Sequence, residues 1–198
     1  MKKLTTAVNT IADHFAGFAL SENLDTNTYT PEKGCLENLI RDLEANDGEL
    51  LVRLANEKAF KVGSDLASTP GKVVFRNRLF ELIQYSPSTE TVYRIPLLIF
   101  PPWINKYYIL DLKPHNSLIR WFVNQGYTLF VVSWVNPDSS YSDVGLEEYI
   151  EEGYFQAIAQ VKAICNVKKI NALGYCIAGT ILSLVMSLLS KRGDRSIH

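Results

Sequence analysis

The chain has 198 residues, enough for one sizeable core, or a core plus an appendage, at the usual ~150 residues per domain. With 47% hydrophobic, 11% aromatic and 21% charged residues, it sits in the soluble globular range, away from disordered, collagenous and fibrous chains. Twenty Lys plus Arg against 21 Asp plus Glu leave a net charge of −1, so there is no global basic field to hold a phosphate backbone, and no nucleic-acid partner is expected.

The first part of the chain reads helical. Leu4, Val8, Ile11, Phe15 and Phe18 recur at alternating spacings of four and three and form one apolar helix face. The opposite face carries little positive charge, which favours a packing helix over a membrane-surface or granule-surface anchor. Asp13 and His14 interrupt what would be the apolar region of an export signal, so none is expected. The polar, turn-rich stretch Ser21 to Lys33 reads as a linker or loop. Leu36 to Ala59 suggests one or two further helices, broken at Asn46, Asp47 and Gly48. These features define a helical N-terminal region over residues 1–68.

From Thr69 onward strands alternate with helices. Leu79 to Tyr85 and Thr91 to Arg94 resemble an antiparallel pair around the turn SPST, and Pro96 to Phe100 is a wholly apolar run that suits a strand covered on both faces. Gly71-Lys72 is not a phosphate loop, because Val73 stands where Ser or Thr is required. After the Pro101-Pro102 turn, a helix around Ser117 to Asn124 is stopped by Gly126, and Tyr127 to Trp134 forms a second buried strand. A helix from about Gly145 to Ile164, a strand Lys169 to Tyr175 and a helix Ile177 to Ser190 complete an α/β pattern of parallel βαβ units. Asp138, Asp143, Glu147, Glu148, Glu151 and Glu152 gather around a helix start, where carboxylates complement the dipole, and no cation site is expected of them.

Between Lys169 and Lys191 no residue carries a formal charge, a length that could span a membrane. The stretch divides instead into a β-like piece, a small-residue corner at Cys176 to Gly179 and a helix-like piece, so a buried strand-turn-helix is expected and no transmembrane segment.

That corner carries the candidate chemistry. Gly174-Tyr175-Cys176-Ile177-Ala178-Gly179 follows a strand and opens a helix, the context of a GxSxG-type nucleophile elbow. Small residues flank the nucleophile of such an elbow because the corner is strained and a nearby Cβ would meet backbone. Gly174 fits, and Ala178 with Gly179 replaces the second glycine. A thiol at a helix N-terminus has a lowered pKa and attacks thioesters and esters well, and the Ile177 N–H would face the oxyanion. A buried structural cysteine between small residues would share this pattern. Cys35 and Cys165 read as packing residues, and the three cysteines show no CxxC pair, which fits a reducing cytoplasm and no metal site.

The blocks TPGKVV, LIQY, PPWINKYYILDL, SWVNPD and GYCIAG, in that order between residues 69 and 179, resemble the polyhydroxyalkanoate synthases, also called poly(3-hydroxybutyrate) polymerases. The resemblance implies the first part of an α/β-hydrolase-type sheet over residues 69–198, ending just after the elbow. It implies acyl transfer from (R)-3-hydroxyacyl-CoA through a thioester on Cys176, with coenzyme A thioester as substrate and no cofactor. Ile177 would supply one oxyanion N–H, and the PPWIN loop the other, at Ile104. The partners implied are a polyester granule surface and a complementing synthase chain or a second copy, with the protein in the cytoplasm and at granules.

In this fold the acid and the histidine follow the nucleophile on later strands. Only Asp194 and His198 follow Cys176, past a single helix, and His115 precedes it. A truncated synthase, inactive alone and with an open apolar sheet edge, is therefore expected. Two other readings remain at this point: a small cysteine α/β-hydrolase of the thioesterase type, and a non-catalytic fragment that binds a granule or a synthase.

Overall fold

The computed structural model of the chain describes residues 33–51 and 59–198. The amphipathic segment of Leu4 to Phe18, His14 and most of the polar stretch 21–33 lie outside the described residues. The chain divides into two compact units, Met1–Ala59 and Phe60–His198.

In the first unit, α1 (Lys33–Ala45) carries Cys35. It ends where expected, because Asp47 (φ 52°) and Gly48 (φ 94°) adopt left-handed backbone and Gly48 N donates to Leu43 O at 2.8 Å, a reversal that terminates a helix. Residues 52–58, in the second half of the expected helical stretch, lie outside the described residues.

The second unit is built on five strands: β1 (Gly71–Arg76), β2 (Phe80–Tyr85), β3 (Leu97–Phe100), β6 (Leu129–Trp134) and β7 (Asn171–Gly174). Their spatial order is β1-β2-β6-β3-β7. β1 with β2 and β2 with β6 are antiparallel, whereas β3 runs parallel to both β6 and β7. A small separate hairpin pairs β4 (Asp111–Lys113) with β5 (Asn116–Ser117). The helices are α2 (Leu118–Asn124), α3 (Leu146–Glu148), α4 (Gln156–Cys165) and α5 (Ile177–Lys191). A π-helix, Tyr149–Phe155, joins α3 to α4 without a break. The result is the α/β architecture expected for the front of an α/β-hydrolase-type sheet, with the elbow at the C-terminal end of β7.

Alternation along the strands divides the core in two. Ile83, Tyr85, Leu97, Ile99, Leu129 and Val131 face Ile119 and Val123 of α2. Leu82, Leu98, Phe100, Phe130 and Trp134 face Tyr154, Ile158, Val161, Ile181 and Val185 from the π-helix, α4 and α5. The crossovers β3-α2-β6 and β6-α4-β7 therefore lie on opposite faces of the sheet, which is why β3 and the middle of β6 are apolar throughout. All four residues of β3 are buried.

The strand expected at Thr91 to Arg94 is not one: these residues form no strand. β2 pairs on that side with β1, and the turn between them is closed by Asn77, whose Oδ1 accepts from Leu79 N and Phe80 N at 2.9 Å each. An Asn side chain that bonds the backbone two and three residues on makes a turn with no glycine or proline to announce it. No helix among the described residues is long and apolar enough to cross a membrane, and the uncharged stretch 170–190 is the expected strand, corner and helix.

Two features anchor the ends of this unit. Asp111, fully buried, accepts from Thr69 Oγ1 at 2.7 Å, Thr69 N at 3.2 Å and Ser117 Oγ at 2.5 Å, tying residues 67–69 to the hairpin and to the start of α2. At the other side, Ile170 N donates to Ser196 O and His198 N to Ile170 O, both at 2.8 Å. Ile197 thus lies parallel to Ile170, the residue before β7, while Asn171–Gly174 themselves pair only with β3, so among the described residues β7 is the open edge of the sheet, as expected.

Candidate active site

The elbow forms because three consecutive backbone demands are met by the residues present. Tyr175 N donates to Phe100 O at 3.2 Å, carrying β7 one residue past its last pair. Cys176 then takes φ 57° and ψ −130°, a conformation costly for a residue with a Cβ and typical of a strand-to-helix corner that projects its side chain. Ala178 N donates to Tyr175 O and Gly179 N to Cys176 O, at 3.2 and 2.9 Å, closing the first turn of α5.

Gly174 and Gly179 make this corner sterically feasible. A Cβ on Gly174 would stand 2.6 Å from Gly179 Cα and 2.7 Å from Ala178 O, distances no real side chain tolerates. Ala178 is fully buried among core side chains, while Cys176 and Ile177 are exposed. The thiol is free and stands at the N-terminus of a 15-residue helix.

β3 and β7 are parallel neighbours with Phe100 opposite Gly174, so the loops that follow them leave from the same edge of the sheet. The loop after β3 holds Pro101 to Lys106, with a turn in which Asn105 N donates to Pro102 O at 3.0 Å. Ile104 stands at its crest, 79% exposed. The backbone N–H groups of Ile104 and Ile177 donate to no acceptor among the described residues.

The remaining candidates fall elsewhere. His198 pairs with Ile170, at the opposite end of β7 from Cys176, a separation of roughly 20 Å at ~3.3 Å per strand residue. Asp194 accepts from Ser196 N at 2.7 Å and Ser196 Oγ at 2.5 Å. His115 is exposed in the β4–β5 hairpin. Cys165 is half-buried at the end of α4, and burial pushes its thiol pKa up. No cluster of metal-ligating residues occurs among the described residues. Of the acidic run, Glu148 accepts from Gly145 N at 2.7 Å, Glu152 pairs with Arg78 at 2.5 Å and Glu151 with Arg192 at 2.6 Å, so these carboxylates serve helix ends and ion pairs.

Sequence reasoning did not find the aromatic residues behind this corner. Trp134 Nε1 donates to Pro101 O at 2.7 Å, and Tyr154 OH to Ala178 O at 3.3 Å. The Tyr154 ring stacks on Phe100 with centroids 4.2 Å apart.

The family model described as the N-terminus of poly-beta-hydroxybutyrate polymerase (PhaC) matches residues 15–122. The poly(3-hydroxyalkanoate) polymerase of Methylorubrum extorquens is 50% identical over 162 residues, covering 82% of this chain and 27% of that protein. The poly(3-hydroxyalkanoate) polymerase subunit PhaC of Cupriavidus necator is 45% identical over 159 residues, covering 80% of this chain and 26% of that protein. The chain therefore spans about a quarter of the length of the curated relatives it matches. Among solved structures, a fungal esterase from Rhizomucor miehei aligns over 91% of this chain and 54% of its own, at 18% identity and a TM-score of 0.45.

Proposed function

The chain belongs to the poly-beta-hydroxybutyrate polymerase family, by the match over residues 15–122, and on that premise we propose that it carries the nucleophile half of a polyester-forming acyltransferase site. The single observation that supports this best is the backbone of Cys176, an exposed thiol held at φ 57° on a strand-to-helix corner. A structural cysteine has no use for that conformation, and the exposure argues against a packing role.

In this reading the Cys176 thiolate attacks the carbonyl carbon of an (R)-3-hydroxyacyl-CoA. The carbonyl π electrons move onto oxygen, and the backbone N–H groups of Ile177 and Ile104 receive that oxyanion. Collapse breaks the bond to the coenzyme A sulfur, which leaves as a thiol with the proton taken from Cys176. The acyl group then sits on Cys176 as a thioester, and the hydroxyl of another unit displaces it, forming one ester bond and regenerating the thiol. Gly174, Ala178 and Gly179 make no contact with substrate; they let the corner fold.

Among the described residues no histidine or carboxylate bonds to Cys176. We assign the general base and its acid to the three-quarters of the polymerase that this chain does not match, whether joined to it or supplied by a complementing chain, and we place the working site at the surface of the growing polyester granule. No cofactor is required, since the thioester is itself the activated acyl donor.

The test is the mass of the chain after incubation with (R)-3-hydroxybutyryl-CoA, alone and mixed with the remainder of a full-length relative. One hydroxybutyryl group on Cys176, absent from Cys176→Ala and faster in the mixture, is the expected result. Equal labelling of Cys35, Cys165 and Cys176, or coenzyme A release that survives Cys176→Ala in the mixture, overturns it and favours a non-catalytic role.

A further inference from the structure

We propose that Trp134 and Tyr154 are positioning residues that set the two oxyanion-binding peptides at a fixed separation, and that the π-helix Tyr149–Phe155 exists to seat them. The inference rests on Cys176 being the acylated nucleophile. Its observations are independent of that assignment, because they concern what lies beneath the two backbone segments.

The loop after β3 is held at three points along its length. Its first carbonyl, Pro101 O, accepts from the buried indole N–H of Trp134 at 2.7 Å. The Trp103 ring packs on Tyr149 with centroids 5.1 Å apart, and the Lys106 ammonium donates to Asn136 Oδ1. Ile104 therefore projects from a loop whose exit from β3, middle and end are each fixed to β6, the loop after β6 or the π-helix. On the elbow side, Tyr154 OH donates to the carbonyl of Ala178, one residue past Ile177.

The two struts touch each other. Trp134 and Tyr154 rings lie 5.7 Å apart, and Trp134 also packs on Tyr149 at 5.5 Å. A π-helix carries an extra residue per turn relative to an α-helix, and such insertions turn side chains out of α-helical register. Here the insertion places Gly153 so close to Trp134 that a Cβ on it would stand 2.9 Å from Cη2 and Cζ3 of the indole. The next residue, Tyr154, is thereby laid on Phe100 and under Ala178 at once. A donor displaced by a fraction of an ångström from the developing oxyanion loses much of its worth, so a rigid aromatic spacer between the two peptides bears directly on acyl transfer.

The decisive comparison is between two reactions of the same thiol. Acylation of Cys176 by a thioester develops an oxyanion, whereas its alkylation by iodoacetamide is a displacement at carbon and develops none. In the 198-residue chain, Trp134→Phe and Tyr154→Phe keep most of the ring packing and delete one donor each. For each we expect Cys176 acylation by (R)-3-hydroxybutyryl-CoA to slow by about ten- to a hundredfold, with Cys176 alkylation within twofold of the parent. Unchanged acylation in both variants overturns the proposal, as does a parallel fall of acylation and alkylation, which would mean that the rings merely hold the corner together. Gly153→Ala provides a second route, since it pushes on Trp134 without removing a donor, and the same split between the two reactions is expected. Labelling of the parent chain at cysteines other than Cys176 would instead refute the assignment of the nucleophile, and is read in the same experiment.

Discussion

The Cα of Gly179 lies 2.6 Å from the point where a Cβ on Gly174 would stand. The last residue of β7 and the first turn of α5 are thus in backbone contact, and this contact is what permits the chain to turn from strand to helix within the two residues between them, Tyr175 and Cys176. Gly174→Ala must open the corner, and overpacking of this kind costs about 1–3 kcal/mol. Urea unfolding followed by tryptophan fluorescence should show a lower midpoint at unchanged slope. Gly179→Ala, whose Cβ would stand 3.1 Å from Gly174 O, should show a smaller loss.

Backbone strain at Cys176 is measurable in the same way. At φ 57° and ψ −130° any residue with a Cβ is held in a poorly populated region, at a cost of about 1–3 kcal/mol, and glycine is not. Cys176→Gly should therefore be more stable than Cys176→Ala by about 1 kcal/mol or more, despite the greater freedom that glycine gives the unfolded chain. Equal unfolding midpoints for the two variants would show that the corner stores no strain.

The elbow and the buried strands were legible in the sequence for local reasons. Small residues around Cys176 are required by the corner itself, and Leu97–Phe100 is apolar throughout because helices cover both faces of the sheet. β1 was not legible: GKVVFR is exposed at five of its six positions, so burial imposes no alternation on it. The SPST segment resembles a hairpin turn, while the real turn depends on the side chain of Asn77. Trp134 and Tyr154 were not legible because they act on carbonyls 33 and 24 residues away in sequence, and no periodicity encodes such a pairing. The π-helix has the same origin, since the contacts that fix it come from β3, β6 and α5.

Asp111 offers a test of how residues 67–69 are held. Its carboxylate is fully buried and accepts three hydrogen bonds, two of them from Thr69. Asp111→Asn replaces one acceptor oxygen by a donor and leaves one of these groups facing another donor, which costs about 1–3 kcal/mol. The expected result is a lowered unfolding midpoint together with faster proteolytic cleavage between residues 60 and 70. Thr69→Val, which removes the hydroxyl donor and leaves the backbone N–H bond, should reproduce part of that loss.

The last prediction concerns pH. The Ser196 hydroxyl above all holds the Asp194 carboxyl below the usual carboxylate range; burial, the next largest effect, opposes it, and the Ser196 backbone N–H and the Lys162 charge add smaller lowering contributions. A depressed folded pKa means that the folded chain binds the proton less readily than the unfolded one. The contribution is therefore present above the unfolded value of ~4 and is lost as pH falls through the lower folded value. Because Asp194 is exposed, solvent screening limits it to a few tenths of a kcal/mol, and a local probe is preferable to global unfolding. Ser196 O is the acceptor for Ile170 N at the start of β7, so hydrogen exchange at Ile170, corrected for its intrinsic pH dependence, reports the anchor directly. Protection at Ile170 should fall modestly as pH drops below ~4, and in Asp194→Asn it should be independent of pH. Protection that varies with pH equally in both proteins would show that a group other than Asp194 governs the pairing of Ile197 with Ile170.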